Sequence, residues 1–313
     1  MTRVAAIDCG TNSIRLLVAD LSGAGDDPAA TLTDVVRRME IVRLGEGVDR
    51  TGQLTAAAIE RTRVALRGYA EEIRSLGADR VRMVATSASR DAANAADFTA
   101  MVAATLGALP EVVTGDEEAR LSFAGAVRGL PSDAAAPYLV VDIGGGSTEF
   151  VVGSSTVDAA ISMDIGCVRM TERHLRGDPP GRDEIAAAEA DITAAVDAAL
   201  AAVPGRDAGT LIGLAGSVTT VAALALGLTS YSPERIHHAR VTVADVAKVT
   251  ADLLGATRTQ RLASPIMHPG RADVIGAGAL ILRVVMERCG ADSVVASEHD
   301  ILDGIAWSMA GRL

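Results

Sequence analysis

The chain has 313 residues, of which 49% are hydrophobic and 2% aromatic, so two domains with cores of Ala, Val, Leu and Ile are expected. A formal charge of −11, a single lysine (Lys248) and the scarcity of stacking rings argue against a general nucleic-acid or anionic-membrane binder.

In chain order, Arg3–Ile7 reads as a short apolar strand and Ile14–Ala19 as another, joined by the turn formers Asp8 to Ser13. Gly23–Pro28 reads as a loop and Val35–Leu44 as a strand with interleaved charges. Thr55 can cap a helix carrying Ile59, Leu66, Ile73 and Leu76 on one face, and Gly77 is a natural stop. Val81–Ala85 is a strand, Asp91–Leu106 a helix, Val112–Val113 part of a short strand, and Glu117–Val127 the start of a further helix. This alternation predicts an α/β unit. After a small-residue loop at Leu130–Pro137, a second unit opens like the first, with strands Tyr138–Val141 and Glu149–Val152 around a glycine-rich turn. An Ala-rich helix at Ile185–Leu200 follows, and the mixed pattern continues to an apolar segment at Ile301–Met309. The expected domains are 1–124 and 125–313, with the last helix, about 300–313, able to pack back on the first.

Cys9, Cys167 and Cys289 lack metal-ligand or redox spacing and point to a reduced, cytoplasmic setting. Asp8 interrupts the N-terminal apolar run, which predicts no signal peptide. Gly209 to Pro233 contains no charged residue, yet its Gly, Ser and Thr content reads as a buried strand, turn and helix, not a membrane span.

One repeat stands out. Asp8-x-Gly10-x-x-Ser13 and Asp142-x-Gly144-x-x-Ser147 lie 134 residues apart, each between two apolar strands. Glycine lets a backbone approach a phosphate and aim N–H groups at it, and hydroxyls add donors. An aspartate repels phosphate directly but can hold a bridging Mg²⁺ or orient a water. Two such turns predict a clamp for a polyphosphate chain. Lys248 follows no glycine-rich loop, Gly144–Gly146 does not extend to a dinucleotide fingerprint, and no Gly-x-Ser-x-Gly elbow is present. The five histidines show no zinc spacing.

The sequence resembles the exopolyphosphatase / guanosine pentaphosphate phosphohydrolase family within the actin–Hsp70–sugar kinase superfamily. The resemblance rests on Asp8-Cys9-Gly10-Thr11-Asn12-Ser13-Ile14-Arg15, Ala85-Thr86-Ser87-Ala88-Ser89-Arg90, Gly115-Asp116-Glu117-Glu118-Ala119-Arg120-Leu121 and Val141-Asp142-Ile143-Gly144-Gly145-Gly146-Ser147-Thr148-Glu149. Weaker matches are Gly213-Leu214-Ala215-Gly216-Ser217 and Arg271-Ala272-Asp273-Val274-Ile275. It implies two ribonuclease-H-like (actin-like ATPase superfamily) domains flanking an active-site cleft. It also implies a water attacking a terminal phosphorus, with Glu118 as base and Asp142 and Glu149 placing metal and water. Phosphate binding is expected from Gly10, Thr11, Asn12, Ser13, Arg15, Arg90, Gly144, Gly145, Gly146, Ser147, Thr148, Gly216 and Ser217, and metal binding from Asp8, Asp142 and Glu149. Mg²⁺ is the expected metal, with Mn²⁺ or an added monovalent cation as alternatives. Glu117 and Arg120 read as helix-surface charges.

Two departures from the family pattern bear on function. Longer members carry extra helical domains, which this sequence lacks, so short polyphosphate chains are the expected preference. Asp303 stands before Gly304 where many members carry a cation, which predicts altered phosphate affinity there. The expected activity is release of terminal orthophosphate from inorganic polyphosphate, with pppGpp 5′-phosphohydrolase activity as the alternative. A non-catalytic polyphosphate or (p)ppGpp-binding regulator and an ATP-dependent kinase are the readings from other classes. A homodimer is compatible with the sequence, which locates no interface.

Overall fold

In a computed structural model, residues 1–23 and 30–311 are described. Residues 24–28 of the expected loop at Gly23–Pro28 lie outside them. The chain divides into two compact units, Met1–Gly125 with the segment from Ile301, and Ala126–Asp300. The division expected at 124/125 thus falls one residue later, and the C-terminal segment belongs to the first unit.

In the first unit, β1 (Thr2–Cys9), β2 (Ser13–Ser22) and β3 (Thr31–Ile41) form an antiparallel meander. Helices α1 (Val48–Thr51) and α2 (Ala56–Leu76) lead to β4 (Arg80–Ala85), parallel to β1. Then come α3 (Ser87–Asp91), α4 (Ala95–Leu106), β5 (Glu111–Val112) and α5 (Gly115–Ala126). The sheet order is β3-β2-β1-β4-β5.

The second unit repeats this plan. An antiparallel meander of β6 (Tyr138–Ile143), β7 (Thr148–Gly153) and β8 (Val157–Met163) precedes α6 (Cys167–His174) and α7 (Arg182–Ala202). Next are β9 (Thr210–Leu214), parallel to β6, then α8 (Ala215–Ala225), α9 (Pro233–Ile236), β10 (Arg240–Thr242), α10 (Val243–Gly255), α11 (Arg258–Leu262), α12 (Ile275–Cys289) and β11 (Ser293–Ala296). The order is β10-β11-β9-β6-β7-β8, so only the antiparallel edge strand β10 is added to the first plan. Each unit is therefore an α/β ribonuclease-H-like domain. The uncharged stretch at 209–233 becomes β9 and α8, and among the described residues no helix is long and apolar enough to cross a membrane.

Both faces of the first sheet are covered, which is why β1 and β2 read as continuous apolar runs. Ala5, Ile7, Ile14, Leu16 and Val18 pack with Leu66, Tyr69, Phe98 and Val102 of α2 and α4. The alternate residues Val4, Ala6, Leu17 and Ala19 pack with Ile301, Leu302, Ile305 and Trp307 of α13 (Ile301–Ser308). Gly304 lets α13 lie against the backbone of α5, because a Cβ there would overlap the Leu121 carbonyl.

Local signals set several ends. The Thr55 side chain accepts from the Ala58 N–H at 3.1 Å, and Gly77 closes α2 with φ of 66°. Thr55→Ala is expected to cost about 1 kcal/mol, read as a fall of a few degrees in Tm with unchanged activity.

The single helix expected at 91–106 is broken at Ala92–Asn94. Ala92 there is extended, with φ of −84° and ψ of 128°, and Asn94 grips the backbone of Leu54 with both ends of its amide, accepting at 2.8 Å and donating at 3.0 Å. The strand expected to run to Leu44 ends at Ile41, because the next residues turn to brace the β1–β2 turn. Strand β8 and helix α6 went unread, the former rich in Ala and Ser, the latter only eight residues long and carrying Arg169, Glu172 and Arg173.

Candidate active site

The two repeated turns share a hydrogen-bond plan. Gly10 N–H donates to the Ser13 carbonyl at 3.0 Å, and Gly144 N–H to the Ser147 carbonyl at 3.0 Å. In both, a following segment consumes the turn's carbonyls. Val42 and Arg43 N–H donate to the Asn12 carbonyl at 3.1 and 2.9 Å, and Gly45 N–H to the Thr11 carbonyl at 2.9 Å. In the second unit the start of α6 does this work. Cys167 N–H donates to Gly144 and Val168 N–H to Gly145, both at 2.9 Å, and Arg169 Nε to the Gly146 carbonyl at 2.7 Å. Gly166 is required here, because a Cβ would overlap the Gly145 carbonyl. With the carbonyls turned inward, the N–H groups of Thr11, Asn12, Gly145 and Gly146 have no hydrogen-bond partner among the described residues. Open N–H groups in a turn can receive the oxygens of an anion.

The turns differ in charge. Asp8 and Arg15 are register partners, and Asp8 Oδ2 accepts from Arg15 Nη2 at 2.7 Å and Nε at 3.0 Å. The equivalent pair in the second unit is Asp142 and Glu149, again register partners, at 7% and 1% exposure. One pair is thus neutralised within itself, while the other sets two buried carboxylates side by side. Glu149 also accepts from Ser162 at 2.8 Å.

Glu118 sits at 8% exposure in the first turn of α5. Its Oε2 accepts from Arg90 at 3.1 Å, and Arg90 also donates to the Val113 carbonyl at 3.1 Å. The guanidinium and the helix N-terminus both stabilise the carboxylate's charge. The neighbours of Glu118 go elsewhere. Asp116 pairs with Arg120 at 2.9 Å, and Glu117 pairs with Arg82 at 2.9 Å, with more of its side chain exposed. The helix-surface pairing expected for Arg120 is present, whereas Glu117 belongs to a charge cluster of Arg82 and Glu111.

Several expected phosphate contacts have other partners. The buried Thr11 hydroxyl pairs with Ser87 at 2.8 Å. The Thr148 hydroxyl donates to the Ile165 carbonyl and is fully buried, which makes it a clamp for the turn. Ser217 is buried against Gly278, while Gly216 lies under the Arg271 guanidinium, which also donates to Thr220 at 2.8 Å. Ser13 is half-buried and Ser147 buried beside its turn. Asn12 Oδ1 is buried without a partner among the described residues. Cys9 and Cys167 flank the turns, but burial pushes both thiols up, with Asp8 adding to the effect at Cys9, so neither is a nucleophile.

Among the described residues no group of three or more His, Cys, Asp or Glu is placed to hold a metal ion. Asp142 and Glu149 nonetheless fit Mg²⁺, which is bound by one or two carboxylates with waters and phosphate oxygens completing its shell. Asp8, also expected to bind the metal, has its Oδ2 engaged by Arg15. The signals sequence reading missed were Ser162, Arg169 and the charge contrast at the position seven residues after each aspartate, which the repeat itself contained.

Each unit thus carries a turn with open N–H groups and buried carboxylates, the equipment of a phosphatase. The family model "Ppx/GppA phosphatase family" matches residues 21–313, and the chain belongs to that family. It is 55% identical over 320 residues to Exopolyphosphatase 2 of Mycobacterium tuberculosis, covering 99% of each chain. It is 30% identical over 315 residues to guanosine-5′-triphosphate,3′-diphosphate pyrophosphatase of Photobacterium profundum, covering 99% of this chain and 59% of that protein. A crystal structure of an exopolyphosphatase-like protein superposes with a TM-score of 0.94 at 42% identity, covering 99% of both chains.

Proposed function

We propose that the protein is a cytoplasmic exopolyphosphatase that releases terminal orthophosphate from inorganic polyphosphate with Mg²⁺. The observation that carries this reading is the pair of turns whose carbonyls are consumed and whose N–H groups remain open. Phosphoryl transfer needs mainly positioning and charge neutralisation, which such turns supply. The 55% identity to Exopolyphosphatase 2 supports polyphosphate as the substrate. The three free cysteines fit a reducing compartment.

In the reaction, Glu118 accepts a proton from water as the water oxygen bonds to the terminal phosphorus. The bridging P–O bond breaks, and its electron pair leaves with the shortened chain. Turn N–H groups hold the phosphate oxygens, and the Arg90 nitrogens not used by Glu118 and Val113 add positive charge. Asp142 and Glu149 would hold Mg²⁺, which neutralises phosphate charge when bound. Asp142→Ala is expected to raise the Mg²⁺ concentration needed for half-maximal rate at least tenfold and to lower the maximal rate. An unchanged Mg²⁺ titration would remove the metal assignment.

The relation to the Photobacterium pyrophosphatase favours pppGpp as the second reading. Phosphate release from short polyphosphate, long polyphosphate and pppGpp, measured side by side with Mg²⁺, separates the two. Release from polyphosphate supports the first, release from pppGpp alone moves the activity to the nucleotide, and binding of either without release makes the protein a sensor.

A further inference from the structure

Glu149 occupies the middle of a row that crosses three strands. Its register partner on β6 is Asp142, and its partner on β8 is Ser162. Register partners on adjacent strands share one face of a sheet, so all three side chains meet on the same side. Ser162 Oγ donates to Glu149 Oε1 at 2.8 Å. Glu149 itself is 1% exposed, so bulk water is not available to replace this donor.

The first unit provides an internal comparison. Its equivalent row is Asp8, Arg15 and Met39. There the middle residue is a cation that grips the aspartate, and the outer residue carries no donor. A hydroxyl on the third strand therefore accompanies the copy of the fold in which the middle residue is a carboxylate.

The terminal torsion of glutamate is broad, so burial alone does not fix the plane of its carboxylate. A donor on a neighbouring strand, fixed 2.8 Å from Oε1, favours one plane. The donor is in turn well anchored. Ser162 lies on an ordered strand, four residues before Gly166, where α6 begins to brace the glycine turn. We infer that Ser162 is a positioning residue for Glu149, fixing its carboxylate plane for phosphoryl transfer. This inference rests on the assignment of Glu149 to the reaction proposed above.

The test compares wild type, Ser162→Ala and Ser162→Thr in polyphosphate hydrolysis, alongside crystal structures of wild type and the alanine variant. Ser162→Ala is expected to lower kcat about tenfold, the worth of one hydrogen bond to a charged group, with KM within about twofold and Tm nearly unchanged. Ser162→Thr, which keeps the hydroxyl, is expected to retain kcat within about twofold. In the alanine crystal the Glu149 carboxylate should rotate out of its wild-type plane or split between two. Wild-type kcat in Ser162→Ala overturns the inference, as does a loss matched by a fall in Tm that threonine does not restore. An unmoved carboxylate overturns it too. A wild-type protein that releases no phosphate overturns the proposed function instead, while the carboxylate's position still decides the role of Ser162.

Discussion

Glu118→Gln is expected to lower kcat for polyphosphate by about two to four orders of magnitude, the range associated with a positioned general base. Glutamine keeps the size and the acceptor oxygen that Arg90 grips, so the fold and the start of α5 should be preserved. It cannot take a proton from water. Binding should therefore change little, with the Kd of a polyphosphate chain within about threefold of wild type, because the turn N–H groups are untouched. Of the three acidic residues that open α5, only Glu118 is buried and paired with Arg90. Asp116→Asn and Glu117→Gln, which remove surface pairs with Arg120 and Arg82, should leave kcat within about twofold. A Glu118→Gln protein with wild-type kcat would remove the base assignment, and equal losses of binding and turnover would make Glu118 a ligand-binding group.

The local features of this site were legible because they depend on neighbouring residues. The Asp-Gly-Ser repeat marks both turns, Thr55 and Gly77 mark both ends of α2, and Glu118 sits among helix-start acids. What was not legible depends on distant partners. Thr148 looks like a phosphate ligand in sequence, and only the fold gives its hydroxyl to Ile165. Ser162 has no neighbouring signal at all, since its role comes from strand register with Glu149. The break at Ala92–Asn94 likewise sits at a distant contact, the grip of Asn94 on Leu54, forty residues away in the chain. The charge contrast between Arg15 and Glu149 was present in the repeat, but its meaning needed the register that sets each beside its aspartate.

Asp303 shows the same lesson with a larger energy. As a departure from the family pattern it predicted a change in phosphate affinity, yet the structure gives it to Arg37 of β3, at 2.6 and 3.2 Å. Asp303 is 1% exposed, on the helix that covers the second face of the first sheet. Burial alone would lower the Arg37 pKa, but attraction and hydrogen bonds from Asp303, with Asp34 adding to them, raise it on balance. Removing one partner of a buried pair leaves the other charge uncompensated, at a cost of about 3 kcal/mol or more. Arg37→Met, which takes the guanidinium from the buried carboxylate, is therefore expected to lower the Tm by roughly 10 °C. Asp303→Ala should cost less than Arg37→Met, because Arg37 is partly exposed, keeps Asp34 and can turn toward water, whereas Asp303 is the more deeply buried of the two. Replacing both, as Arg37→Met with Asp303→Leu, should recover much of the loss, since well-packed apolar residues replace buried ion pairs at little cost. Single-variant losses that simply add in the double variant would show that the two residues do not act as a pair. A Tm unchanged in Arg37→Met would show that α13 is held by its apolar face alone.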